Sequence, residues 1–149
     1  RRWALVTLDD KSARMDVRLF PDDYERFEEI LKSDEILVCS GQVSFDDYSG
    51  GLTMTARDVM TVAQAREIHV SSLDLTLDSD VLKPDFFEQF GQALEPYKEG
   101  MCPIKVNYSR PEAFATLSLG ENWRVSPNDK LLYQLKQLVG EDNVMLNFD

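Results

Sequence analysis

Two small domains, a mostly β piece followed by an α+β piece, are the architecture this sequence predicts. Three observations predict it. Period-two apolar runs recur along the chain, as in Met15, Val17, Leu19 and again in Leu73, Leu75, Leu77, the pattern of half-buried strands. Stretches with apolar residues at helical spacing are interleaved with them. A short polar stretch of helical leaning, Thr61 to Glu67, separates two groups of such elements. With 149 residues, 43% of them hydrophobic, the chain can build two small cores and is too apolar for wholesale disorder.

In the first group, Trp3 to Leu8 is a short β-prone run and Asp9-Asp10-Lys11-Ser12 a turn. Met15 to Phe20 alternates as a strand. Pro21 suits the first helical position, where its missing N–H costs nothing, and Asp22, Asp23 and Glu25 put negative charge at the positive end of the helix dipole. Tyr24, Phe27, Ile30 and Leu31 form one apolar stripe. Ile36 to Phe45 and Leu52 to Met60 then flank Asp46-Asp47-Tyr48-Ser49-Gly50-Gly51. Both glycines can take positive φ there, and the aspartates can hold the loop through backbone amides, so the segment reads as a long hairpin. Strand, strand, helix, strand, strand is the order of an OB-fold barrel from its second strand onward. The expectation for residues 1–67 is therefore a truncated OB-fold barrel with its first strand missing. An open edge of that kind invites self-association or strand exchange. The chain opens Arg1-Arg2-Trp3, without Met and with a strand under way, and is read as a piece of a longer protein.

The second group, residues 68–149, opens with the strand of Leu73, Leu75 and Leu77. Pro84 is expected to open a helix with Phe86, Phe87, Phe90, Leu94 and Tyr97 on one face, weakened at Gly91 and frayed at Pro96. Ile104, Val106 and Tyr108 alternate, Arg110-Pro111-Glu112 turns, and Ala113 to Leu119 returns as a strand. Ser126-Pro127-Asn128-Asp129 reads as a helix start, with Ser126 capping, Pro127 first in the helix and Asp129 completing a capping-box-like arrangement. Leu131, Leu132, Leu135, Leu138 and Val139 supply the buried stripe, and Gly140 a left-handed cap. Val144, Leu146 and Phe148 alternate in a last strand. The β-α-β-β-α-β order predicts a small ferredoxin-like domain.

Composition narrows the function. The net charge of −11 opposes the phosphate contacts on which duplex DNA binding depends. No apolar run approaches the ~20 residues that cross a bilayer. Cys39 and Cys102 are too few for a disulfide scaffold and are expected as buried, reduced thiols of a cytoplasmic protein. The pairs Asp9-Asp10, Asp22-Asp23 and Asp46-Asp47 sit in turns and a helix start, where Asp caps or is solvated rather than holding a catalytic metal. There is no Walker loop, zinc-ligand set or nucleophile elbow. His69 has no Cys or acid at ligand spacing and is read as a linker residue. No catalytic residue, metal or cofactor is expected. For single-stranded nucleic acid the candidate cations are Arg1, Arg2, Arg14, Arg18 and Arg57, and the candidate stacking groups Trp3, Phe45 and Tyr48. The end of the chain, Asn143 to Asp149, is either a closing strand or an extended peptide docking into a partner.

One family matches this wording. Ala4-Leu5-Val6-Thr7-Leu8-Asp9-Asp10, Val17-Arg18-Leu19-Phe20, Ser40 to Arg57 with its Asp-Asp-Tyr-Ser-Gly-Gly turn, Trp123-Arg124-Val125-Ser126-Pro127 and Leu146-Asn147-Phe148-Asp149 resemble the C-terminal region of the family C bacterial replicative polymerases, the DNA polymerase III alpha subunits. The likeness covers nearly the whole chain. It implies an OB domain lying near single-stranded template, followed by a small domain that binds the tau subunit of the clamp loader. It also implies a terminal sliding-clamp-like pattern, Gln-x-x-Leu-x-Phe, in which Asn143 stands at the Gln position and Leu146 and Phe148 are retained. The polymerase aspartates, the histidinol-phosphatase-like domain and the main clamp-binding segment would lie upstream. The expectation is a non-catalytic adaptor piece of a DNA-directed DNA polymerase, with Trp123, Arg124, Asn143, Val144, Leu146 and Phe148 as candidate contacts to tau or clamp. The rival expectation is a stand-alone OB module that binds single strands.

Overall fold

A computed structural model describes residues 2–149. The chain divides into two units, residues 1–65 and 66–149, each with its own hydrophobic cluster. The candidate cation Arg1 lies outside the described residues.

The first unit runs β1 (Ala4–Asp9), β2 (Arg14–Leu19), α1 (Pro21–Leu31), β3 (Leu37–Asp46) and β4 (Gly51–Thr61). Its first turn is tied by aspartates: the Lys11 amide donates to Asp9 Oδ1 at 2.8 Å, and the Ser12 and Ala13 amides both donate to Asp10 Oδ1 at 2.9 Å. Pro21 sits in the first turn of α1, as its fixed φ favours. The strands order β1-β2-β4-β3, with β2 and β4 parallel and the other neighbours antiparallel. This is an OB-type sheet without its first strand, so β1 and β3 remain edges and no barrel closes among the described residues. Val17, Leu19, Ala56, Val59 and Phe27 bury its core face. Where the β3–β4 register shifts after Ser40, Gly41 lies so close that a Cβ would meet the Thr55 carbonyl oxygen at 2.1 Å. At the hairpin tip, Gly50 takes φ of 70° while Gly51 begins β4 without positive φ. One glycine, not two, makes the reversal.

The division between the units falls inside α2 (Val62–His69). This helix starts with a capping box: the Gln64 amide donates to Thr61 Oγ1 at 3.2 Å and the Thr61 amide to Gln64 Oε1 at 2.9 Å. The second unit continues with β5 (Val70–Asp78), α3 (Phe86–Leu94), β6 (Ile104–Arg110), β7 (Ala113–Ser118), α4 (Asp129–Val139) and β8 (Val144–Phe148). The β-α-β-β-α-β order is the expected one, but the strand arrangement departs from the ferredoxin-like pattern. The sheet reads β7-β6-β5-β8, with β5 and β6 directly paired and parallel, whereas a split β-α-β unit would seat a strand between them. The sequence of β7 explains the difference. Its six residues, Ala-Phe-Ala-Thr-Leu-Ser, are all exposed, which suits an edge and not a central position. Leu73 and Leu75 of β5 are fully buried and take the centre. Both helices pack on the face of Leu73, Leu75, Ile104 and Val106.

Several local expectations shift by a residue or two. Asn128, not Ser126, caps α4, with its Oδ1 accepting from the Leu131 amide at 2.9 Å. Pro127 precedes the cap and is fully buried. Helix α3 begins at Phe86 behind Asp85, so Pro84 lies outside it, and Phe87 points away from the core at 72% exposure. Gly140 has φ of 102° and ψ of 148°, positive in φ but extended, so it is no left-handed cap. Val144 and Leu146 pack on the core, while Phe148 is half exposed. Both cysteines are free; Cys102 is buried and Cys39 only partly so.

Candidate nucleic-acid interface

Alternation in β1 and β2 builds a second, outward face. Ala4, Val6 and Leu8 pack toward the core beside Val17 and Leu19. Leu5, Asp16 and Arg18 therefore point the other way. The β3–β4 turn folds beside them, and together they enclose a cleft of about 450 Å³ lined by Trp3, Leu5, Asp16, Arg18, Asp46, Tyr48, Ser49, Leu52 and Thr53. In an OB sheet the faces of the second and third strands and the loop between the fourth and fifth are the oligonucleotide-binding surface. Here those parts are β1, β2 and the β3–β4 turn.

The walls of the cleft are held by hydrogen bonds. Thr53 is buried, and its Oγ1 donates to the Asp16 carbonyl at 3.0 Å. Thr7 Oγ1 donates to Asp16 Oδ1 at 2.8 Å. Asp46 shapes the turn: its carbonyl accepts from the Gly50 amide at 2.8 Å and its Oδ2 from Ser49 Oγ at 2.8 Å. Arg18 Nη2 lies 2.9 Å from Asp46 Oδ2. The Ser49 hydroxyl first, then the Tyr48 amide and the Arg18 guanidinium, hold the Asp46 carboxyl below the ordinary carboxylate range against the opposing effect of desolvation. Two rings stand free: Tyr48 is fully solvent-exposed and Trp3 is 65% exposed. Exposed rings of this kind stack on unpaired bases, each contact contributing about 1–3 kcal/mol.

The charge lining is two carboxylates and one guanidinium, and the guanidinium already has a carboxylate partner. The cleft is therefore better built for base faces than for phosphates. Of the candidates read from sequence, Trp3, Arg18 and Tyr48 converge here. Phe45 pairs with the lining residue Leu52 but does not itself line the cleft. Arg14 is bound to Asp9 at 2.8 Å in the β1–β2 turn. Arg57 is exposed on β4, away from the lining. Sequence reading passed over Leu5, Asp16 and Thr53. Their signal was parity, since each alternates with core residues of its strand.

The partner candidates of the second unit belong to separate features. Trp123 closes a 3₁₀ turn with Lys98 Nζ 4.7 Å above its ring. Arg124 Nη2 is 3.7 Å from Glu121. Asn143 Nδ2 donates to the Val139 carbonyl at 2.7 Å, tying off the end of α4. Val144, Leu146 and Phe148 belong to β8, which pairs antiparallel with β5, so the chain's end is a closing strand. Among the described residues, no group of three His, Cys, Asp or Glu side chains comes together to hold a metal ion, and no helix is long and apolar enough to cross a membrane.

An open OB sheet carrying an aromatic cleft, followed by a small α+β unit, defines the class: a nucleic-acid-binding type of OB domain with a C-terminal appendage. Comparison with known proteins agrees. A family profile described as OB-fold nucleic acid binding domain matches residues 1–62, and one described as the C-terminal domain of DNA polymerase III subunit alpha matches residues 89–140. Similar relatives are the DNA polymerase III subunit alpha of Vibrio cholerae, 49% identical over 99% of this chain and 13% of its own length, and that of Escherichia coli K12, 44% identical over the same shares. The Pseudomonas aeruginosa subunit is 39% identical over 99% of this chain and 12% of its length. The chain belongs to the DNA polymerase III alpha family and corresponds to its C-terminal region. It spans about an eighth of the length of these curated relatives.

Proposed function

We propose that this chain is a non-catalytic part of a cytoplasmic replicative polymerase subunit, with two tasks. The first unit places single-stranded template. The second tethers the polymerase to the clamp-loader tau subunit, with α4 and β8 as the contact elements. The observation that carries the first task is the cleft: Trp3 and Tyr48 stand exposed on the face and turn that OB domains use for oligonucleotides. The second task rests on family membership and on the exposed side chains Tyr133, Met145 and Phe148 along α4 and β8.

Fluorescence anisotropy with a labelled oligothymidylate tests the first task. Binding should occur with a shallow salt dependence, a log–log slope no steeper than about −1, because one guanidinium serves the site. Absence of binding, or a steep slope unaffected by Trp3→Ala, would refute it. The second task predicts that the C-terminal domain of tau binds this chain. Tyr133→Ala with Phe148→Ala should weaken that binding while leaving oligonucleotide affinity unchanged.

A further inference from the structure

The second unit carries a cavity that the tasks above leave unused. Gly100 makes it. The chain crosses there so tightly that a Cβ on Gly100 would lie 1.9 Å from the Val125 carbonyl carbon. Cys102 and Val125 exchange both backbone hydrogen bonds at 3.0 Å, and the Ser126 amide donates to the Tyr97 carbonyl at 2.9 Å. These bonds fix two loops side by side and leave about 480 Å³ between them and α2 residue Glu67. That is within the size range of a built binding pocket.

Its lining is mixed. Pro96, Tyr97 and Met101 give it apolar walls, Ser126 and Asn128 add polar groups, and Glu67 and Glu99 are the charged side chains among its described lining residues. The neighbouring cations are already engaged: Arg66 with Asp129 at 2.6 Å and Lys98 with Glu95 at 2.5 Å. Glu67 accepts a hydrogen bond from Ser126 Oγ, which aims it without neutralising it. Glu99 has no ion-pair partner among the described residues. An apolar wall ending in uncompensated carboxylates is the complement of a side chain with an aliphatic stem and a cationic head. Space for more than one side chain points to a segment of chain rather than an ion.

We infer that this cavity docks a lysine- or arginine-bearing segment of a partner protein, with the stem against Tyr97 and Met101 and the head between Glu67 and Glu99. The inference stands apart from the tau assignment, which involves α4 and β8. It also gives a use to negative charge that otherwise only repels nucleic acid.

The test uses a fluorescein-labelled nonapeptide with arginines at two positions separated by leucines, its glutamine-for-arginine counterpart, and spermidine as competitor. The arginine peptide should bind, and E67Q with E99Q should weaken it about tenfold. Glutamine at position 67 can still accept from Ser126, so the fold is kept, which circular dichroism checks. The remote pair E88Q with E112Q removes the same charge and should change affinity less than twofold. An equal loss in both double variants would reduce the effect to the general acidity of the chain and overturn the inference. Equal binding of the glutamine peptide would do the same. So would spermidine displacing the peptide at concentrations matching the peptide's own dissociation constant.

Discussion

Among the described residues, the unit of residues 1–65 buries five residues in its core cluster and that of residues 66–149 buries thirteen, although each has a sheet of four strands. Helix number accounts for much of the difference. The second sheet has α3 and α4 on one face, while the first has α1 alone. The rest comes from closure. On β3, Val43 is 47% and Phe45 62% exposed, because among the described residues no strand pairs beyond β3 to cover them. The lesson is that a barrel-type sheet needs closure to cover its core face, whereas a sheet under two helices is covered by them.

The largest test of this contrast is paired truncation. Leu75→Ala, at a fully buried position, should cost about 2–5 kcal/mol, and Val43→Ala less than about 0.5 kcal/mol. Chemical denaturation followed by probes in each unit reads both. Equal losses would show that the first sheet is closed in solution, for example by a second copy at its edge. Next in size is the cleft. Trp3→Ala and Tyr48→Ala should each weaken oligonucleotide binding by about 1–3 kcal/mol while barely moving stability, since neither ring is packed. A smaller effect falls on the better-packed unit: Asn128→Ala removes the cap of α4 and should lower its stability by about 1 kcal/mol, seen as a shifted midpoint for that unit alone.

Smaller again is a pH effect. Burial pushes the Cys102 thiol from its ordinary 9.0 up to about 11, so the folded state favours the protonated form. The stability this contributes is fully present below pH 9 and is lost as pH rises toward 11. Cys102→Ala should flatten that decline, which alkaline melting curves of the two proteins can compare. The smallest expected change is Asp46→Asn. It frees Arg18 and removes a carboxylate that faces the strand, so oligonucleotide affinity should rise about threefold at low salt. A fall would mean that the turn held by Asp46 matters more than its charge.

Much of each unit was readable because its signals are local. Alternation and β-prone runs found all eight strands, most of them within a residue or two, although β5 begins at Val70, three residues before the first leucine of its pattern, and Pro21 marked the start of α1 through its own φ. The start of α4 differs from the expectation because Ser126 and Asn128 both carry capping oxygens, and the fold engages Ser126 with Glu67 while Asn128 accepts from the Leu131 amide. The box at Thr61 and Gln64 was legible and was passed over. The cleft was half legible: Trp3, Arg18 and Tyr48 stand out as residue types, but Phe45 stands out equally and is not among the lining residues.

Chain order and composition, taken alone, determined a strand-rich first half, an α+β second half and a strongly acidic chain. Each follows from contacts a few residues apart, or from simple summation. Tertiary structure decided that β7 lies at an edge beside β6 and that β5 and β8 pair across the chain's second half. It also decided that Arg18 meets Asp46 and that Gly100 passes under Val125. Those outcomes depend on which buried surfaces compete for the centre of each sheet, and that competition is settled between residues tens of positions apart.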